Sequence, residues 1–117
     1  MRFQTQAQDY TDEPLDLHRY LVRRPAATQF IRASSDAMER AGILPGALLV
    51  VDHSLRPHDG DIVVASVQGD FMLRAFRQDE ARVVLYAANP GYPDTALGED
   101  DEIWGVVVAA INLYRVR

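Results

Sequence analysis

Four serines (Ser34, Ser35, Ser54 and Ser66), three histidines and the stretch Ser34-Ser35-Asp36-Ala37-Met38 are the residues with which this chain could attempt hydrolysis. A serine attacks a peptide carbonyl only when a nearby base takes its proton. A buried lysine can be that base, because burial disfavours its charged form and lowers its pKa. This chain has no lysine: all 12 of its Lys+Arg residues are arginine. Arginine stays protonated at any ordinary pH and cannot replace it. His18, His53 and His58 could act as bases in principle, but they read as surface or turn residues. His53 and His58 sit around Pro57 in a polar loop, which is not a metal-binding pattern. No cofactor is expected either. Without cysteine the chain can form no disulfide, thiolate metal site or thiol nucleophile.

The elements that position these residues belong to one domain. A chain of 117 residues fits one modest core. The 48% hydrophobic and 25% charged content is that of a soluble globular protein. The net charge is -5, and the arginines are scattered apart from Arg23-Arg24. Glu99-Asp100-Asp101-Glu102 adds a dense anionic run. Direct tight nucleic-acid binding, which needs clustered cations, is therefore not expected. A role in nucleic-acid processes would run through a protein partner. No secretory pattern opens the chain. The longest apolar run, Ile103 to Leu113, is too short to span a bilayer as a helix, so no membrane association is expected and the cytoplasm is the expected location.

Residues 1–13 are polar and aperiodic and read as a flexible arm; residues 14–117 form the domain. Thr11-Asp12-Glu13-Pro14 offers capping groups and a first-turn proline, predicting a short helix from Leu15 to Arg23 with Leu17, Tyr20 and Leu21 on one side. Pro25 ends it. Strands follow at Thr28 to Ala33, Ala47 to Val51, Asp61 to Val67, Asp70 to Phe76, Arg82 to Ala87 and Ile103 to Tyr114. The apolar run Ala47 to Val51 suits a strand covered on both faces. Gln68-Gly69 predicts a tight hairpin. Asp36 to Ala41 reads as a helical turn stopped by Gly42, and Asn89 to Pro93 as a rigid loop. The expected fold is mostly β: one twisted sheet, curled toward a barrel, with a short N-terminal helix.

The order of these motifs resembles the LexA/UmuD family of self-cleaving serine peptidase domains. It is carried by Phe30 to Met38, Gly42-Ile43-Leu44-Pro45-Gly46, Leu49-Val50-Val51-Asp52 and Gly60 to Ala65, then by Asn89-Pro90 and Trp104-Gly105-Val106-Val107. The Asp16-Leu17 helix and the Pro25-Ala26-Ala27-Thr28 lead-in point to the UmuD branch. The resemblance implies a Ser/Lys dyad. Carried over by motif, the serine position is Ala37 and the lysine position is Arg74, in Phe71-Met72-Leu73-Arg74. A methyl group cannot attack, and a guanidinium cannot accept the proton. Hydrolysis is therefore not expected, and the chain reads as a pseudopeptidase.

Two readings stand for Arg74: a polar residue on the outer face of a strand, or a fixed cation in the former lysine site, paired with Asp36 or with backbone carbonyls. Asp36 itself is expected to cap the turn that follows it. Family precursors lose an N-terminal segment by self-cleavage between a small residue and glycine. This chain begins about where the processed form would, and it has no glycine before Gly42.

The resemblance further implies a homodimer that joins a UmuC-type error-prone DNA polymerase and contacts RecA filaments, serving SOS mutagenesis and translesion synthesis. Phe71 on the hairpin is the residue expected at a dimer or partner surface, with burial in the core as its other reading; for Trp104 core is expected. The alternatives are a regulatory pseudopeptidase that dimerises with a LexA/UmuD relative, and a serine peptidase with an atypical site.

Overall fold

The computed structural model describes residues 14–115. The expected arm, with the helix-capping group Thr11 to Glu13, lies outside the described residues. Seven strands follow along the chain: β1 (Thr28–Arg32), β2 (Leu48–Asp52), β3 (Ile62–Val67), β4 (Asp70–Asp79), β5 (Arg82–Tyr86), β6 (Thr95–Ala96) and β7 (Glu102–Ile111). They form one sheet in the order β1-β2-β7-β3-β4-β5-β6. Every adjacent pair is antiparallel. The last strand of the chain thus lies between β2 and β3.

Alternation explains how one sheet makes a core on both sides. Successive side chains of a strand point to opposite faces. Val64 joins Leu49, Val51, Leu73 and Met38 in one apolar cluster. Its neighbours Val63 and Ala65 join Phe76, Leu85 and Val106 in another. The expectation for the run around Leu49 holds: residues 49–52 are all buried. Register shifts opposite Val50/Val51 and Val64/Ala65, where β7 carries Val108 and Trp104 as extra residues, bend the sheet. β1 and β6 remain its edges, so the curl stops short of a closed barrel.

The local signals are mostly obeyed. Gln68 and Gly69 have φ of 51° and 85°, the paired left-handed conformation of a two-residue hairpin that matches strand twist. Gly42, at φ 88°, stops the 3-10 turn Glu39–Ala41. At Gly105 a Cβ would meet Val51 Cγ1 at 2.5 Å, so only glycine lets β7 approach β2 this closely. The helix α1 (Leu17–Leu21) is shorter than expected. Asp16 caps it, its Oδ1 accepting from the Arg19 N–H at 3.1 Å; Leu17 and Tyr20 are exposed rather than packed. β7 ends at Ile111 and not at Tyr114, because Asn112 turns aside. The Asn112 side chain accepts from the Leu44 N–H at 3.0 Å and donates to the Gly42 carbonyl at 2.7 Å. No helix among the described residues is long and apolar enough to cross a membrane.

Candidate functional site

The turn after β1 and the loop after β5 lock together. Ala37 in that turn is wholly buried. Its N–H donates to Ser35 Oγ at 3.3 Å, and its carbonyl accepts from the Ala88 N–H at 2.9 Å. Asn89 Nδ2 donates to the Asp36 carbonyl at 3.0 Å, while Asn89 Oδ1 accepts from the Gly91 N–H at 3.1 Å. These bonds hold Tyr92 over the turn, where its hydroxyl donates to Asp36 Oδ1. The Asp36 side chain is therefore engaged by Tyr92. The expected capping is left to its backbone carbonyl, which accepts from the Glu39 N–H at 3.1 Å.

β4 delivers Arg74 to the other side of Tyr92. The side chain is buried, and its guanidinium carbon lies 5.0 Å from the Tyr92 ring centroid, within cation–π range. Nη1 donates to the Leu73 carbonyl at 2.8 Å. Nε is buried with no partner. Burial pushes the guanidinium pKa down, opposed by Tyr92. The Tyr92 phenol is pushed up, first by its bond to Asp36, then by partial burial and the Asp36 charge, with Arg74 opposing. Of the two readings of Arg74, the buried cation is the one observed, held by a backbone carbonyl. The expected direct pairing with Asp36 is replaced by an aromatic ring between them. Among the described residues the one salt bridge is Arg24 to Asp52, at 3.0 Å.

Arg74, Ser34, Ser35 and Tyr92 line an open cleft of about 310 Å³ whose floor includes Leu49 and Val64. Ala37 is not part of its lining. The histidines lie elsewhere. The His53 ring is 2.8 Å from the Trp104 carbonyl through Nδ1 and packs edge-on against the Trp104 ring at 4.1 Å. His18 lies against Phe30, at 6.1 Å between ring centroids. His58 is exposed, its N–H bonded to Asp61. No hydrogen bond joins a histidine ring to a serine hydroxyl among the described residues. Phe71 is 64% exposed, which rules out its core reading. It meets Trp104 edge-on at 5.4 Å; Trp104 packs against the core but is only half-buried. Sequence reasoning missed Tyr92 and Asn89. The one available signal was an aromatic residue trapped between Pro90 and Pro93.

A curled antiparallel sheet, with a cleft between the turn after its first strand and the hairpin strand β4, is the architecture that the resemblance to the LexA/UmuD peptidase fold implied. Residues 1–108 match the family described as Peptidase S24-like. The chain belongs to that family and is UmuD-like within it, as the sequence resemblance implied. It is 45% identical over 113 residues to Protein SamA of Salmonella typhimurium strain LT2, covering 97% of this chain and 79% of the relative. It is 47% identical over 114 residues to Protein ImpA of Shigella flexneri, covering 97% and 78%. Protein MucA of Escherichia coli is 38% identical over 112 residues, covering 93% and 76%.

Proposed function

We propose that this protein is a non-hydrolytic, cytoplasmic accessory subunit of the processed-UmuD type, acting in SOS mutagenesis and translesion DNA synthesis. It works as a homodimer that binds a UmuC-type DNA polymerase and RecA filaments. The observation that carries the loss of hydrolysis is the pair of replaced positions. Ala37 presents a buried methyl group, and Arg74 presents a cation fixed between the Leu73 carbonyl and the Tyr92 ring. Neither can attack a carbonyl or take a proton from a group that does. What remains is surface. Phe71, exposed beside Trp104, supplies the kind of aromatic anchor that dominates protein interfaces.

Light scattering after gel filtration should give twice the mass of 13.1 kDa, and Phe71→Ser should shift it toward the monomer. Co-purification with a UmuC-type polymerase, and not with a LexA-like repressor, is the expected result. Capture of the repressor alone would replace this reading with a regulatory pseudopeptidase. Incubation with RecA, nucleotide and single-stranded DNA should leave the chain intact, and so should the Ala37→Ser variant supplied with a substrate arm. Cleavage by the unaltered chain would overturn the proposal.

A further inference from the structure

The cleft carries a charge imbalance. Arg74 and Arg32 line it together with Ser34 and Ser35, and no aspartate or glutamate among the described residues does, in a chain of net charge -5. Asp36 and Asp70 adjoin the lining in sequence; Asp36 Oδ1 is taken by the Tyr92 hydroxyl, and Asp70 is exposed at the hairpin end. Arg32 is exposed and spends Nη1 on the Gly46 carbonyl. Arg74 is only 9% exposed, and among the described residues it has no carboxylate partner and its Nε has no acceptor. A buried guanidinium is tolerated when a counter-charge and hydrogen bonds replace its water, and buried polar atoms are normally paired. One carbonyl and one aromatic face do not complete that requirement. The planar fork of arginine matches a carboxylate in two-point geometry, unlike the point charge of lysine.

The backbone beside Arg74 is open as well. β4 pairs with β3 from Asp70 to Ala75, but with β5 only from Ala75 onward. Its first half therefore has one unpaired edge. The two-residue hairpin makes Val67 and Asp70 a hydrogen-bonded pair. Alternation from there turns the backbone groups of Met72 and Arg74 toward β3 and those of Phe71 and Leu73 outward. The outward Leu73 carbonyl is the one that Arg74 occupies. Among the described residues no strand pairs with the Phe71 N–H and carbonyl or the Leu73 N–H, which leaves them to an added strand.

We propose that this cleft is a receptor for an extended peptide segment bearing an acidic side chain, whose carboxylate is received by Arg74 while its backbone adds to the open edge at Phe71 and Leu73. The inference rests on the reading that the cleft does not hydrolyse what it holds. A permanent cation in the cleft would hold an anionic strand, where a proton-accepting amine would serve to cut one.

The test uses two blocked pentapeptides, Ala-Val-Glu-Val-Ala and Ala-Val-Gln-Val-Ala, titrated into nitrogen-labelled protein. The Phe71 and Leu73 amides and the Arg74 Nε–H are followed by NMR. The glutamate peptide should bind about fivefold more tightly than its neutral twin, since a charge-assisted pair is about twice as strong as an ordinary neutral one, and it should shift the Arg74 Nε–H. Arg74→Met should erase the difference, and Arg74→Lys should keep part of it. Equal affinity of the two peptides, binding by neither, or shifts confined to other surfaces would overturn the proposal. The peptide comparison needs only the unaltered protein, so it decides the matter even where the methionine variant does not fold. Mass spectrometry of the recovered peptide separates the two ideas. A cut peptide sinks the non-hydrolytic reading, whereas intact peptides bound equally sink only this one.

Discussion

Two charged side chains are buried among the described residues, Asp52 at the end of β2 and Arg74 within β4, and the fold houses them in opposite ways. Asp52 Oδ1 accepts from the Ser54 N–H at 2.8 Å and from its hydroxyl at 2.6 Å, and Oδ2 accepts from Arg24 Nη1 at 3.0 Å. Burial pushes the Asp52 carboxyl up, but the Ser54 bonds and Arg24 together outweigh it and leave the pKa below the usual 3.8. Arg74 has one carbonyl, one ring face and an orphaned Nε. A charge that is fully answered from within serves the fold. A charge left partly unanswered costs stability, and the proposed acidic peptide would complete it.

The contrast can be broken at either end. The largest effect is expected at Asp52: Asp52→Leu removes the acceptor of three bonds whose donors sit on exposed residues, and should cost about 2 kcal/mol in urea denaturation. A loss under about 1 kcal/mol would show that the cluster is idle, since that is the worth of a single ordinary hydrogen bond. The next test is acid. Because the folded pKa of Asp52 is depressed, its contribution is complete above 3.8 and is lost as the pH falls through the lower folded value. Asp52→Asn should flatten that acid limb; an unchanged limb would place its origin elsewhere.

At the other end, Arg74→Met should be neutral or stabilise by roughly 1 kcal/mol, because it replaces an incompletely paired buried cation with an apolar chain of similar length. A large loss would mean that Arg74 supports the fold as Asp52 does. The smallest effect belongs to Tyr92→Phe, which keeps the ring over Arg74 and removes only the bond to Asp36. It should leave the urea midpoint nearly unchanged. It should also delete the tyrosine that ionises above the usual 10.0 in an ultraviolet titration.

Local chemistry made much of this readable in the sequence. The hairpin at Gln68-Gly69, the stop at Gly42 and the doubly covered strand around Val50 each follow from a few adjacent residues. The family was legible too, in the order of the motifs. Contacts between distant segments were harder to see. The two residues of β6 exist only because Leu85 and Val84 offer them an edge. β4 runs on to Asp79 because β5 pairs with it, although Arg77-Gln78-Asp79 has no apolar pattern. The helix start shifted because Asp16 is the observed cap, two residues after the proline that suggested an earlier first turn. Tyr92 reaches Asp36 across 56 positions, and no local signal reports such a meeting.

The central position of β7 has a consequence for how the molecule comes into being. On the ribosome, β2 and β3 emerge long before the strand that must lie between them, and neither can find its β7 neighbour until residues 102–111 have been synthesised. Folding that waits for such a distant pairing is slow. The nascent chain would therefore acquire its working surface late, in one step, as the final strand slides home and Asn112 fastens the turn at Gly42.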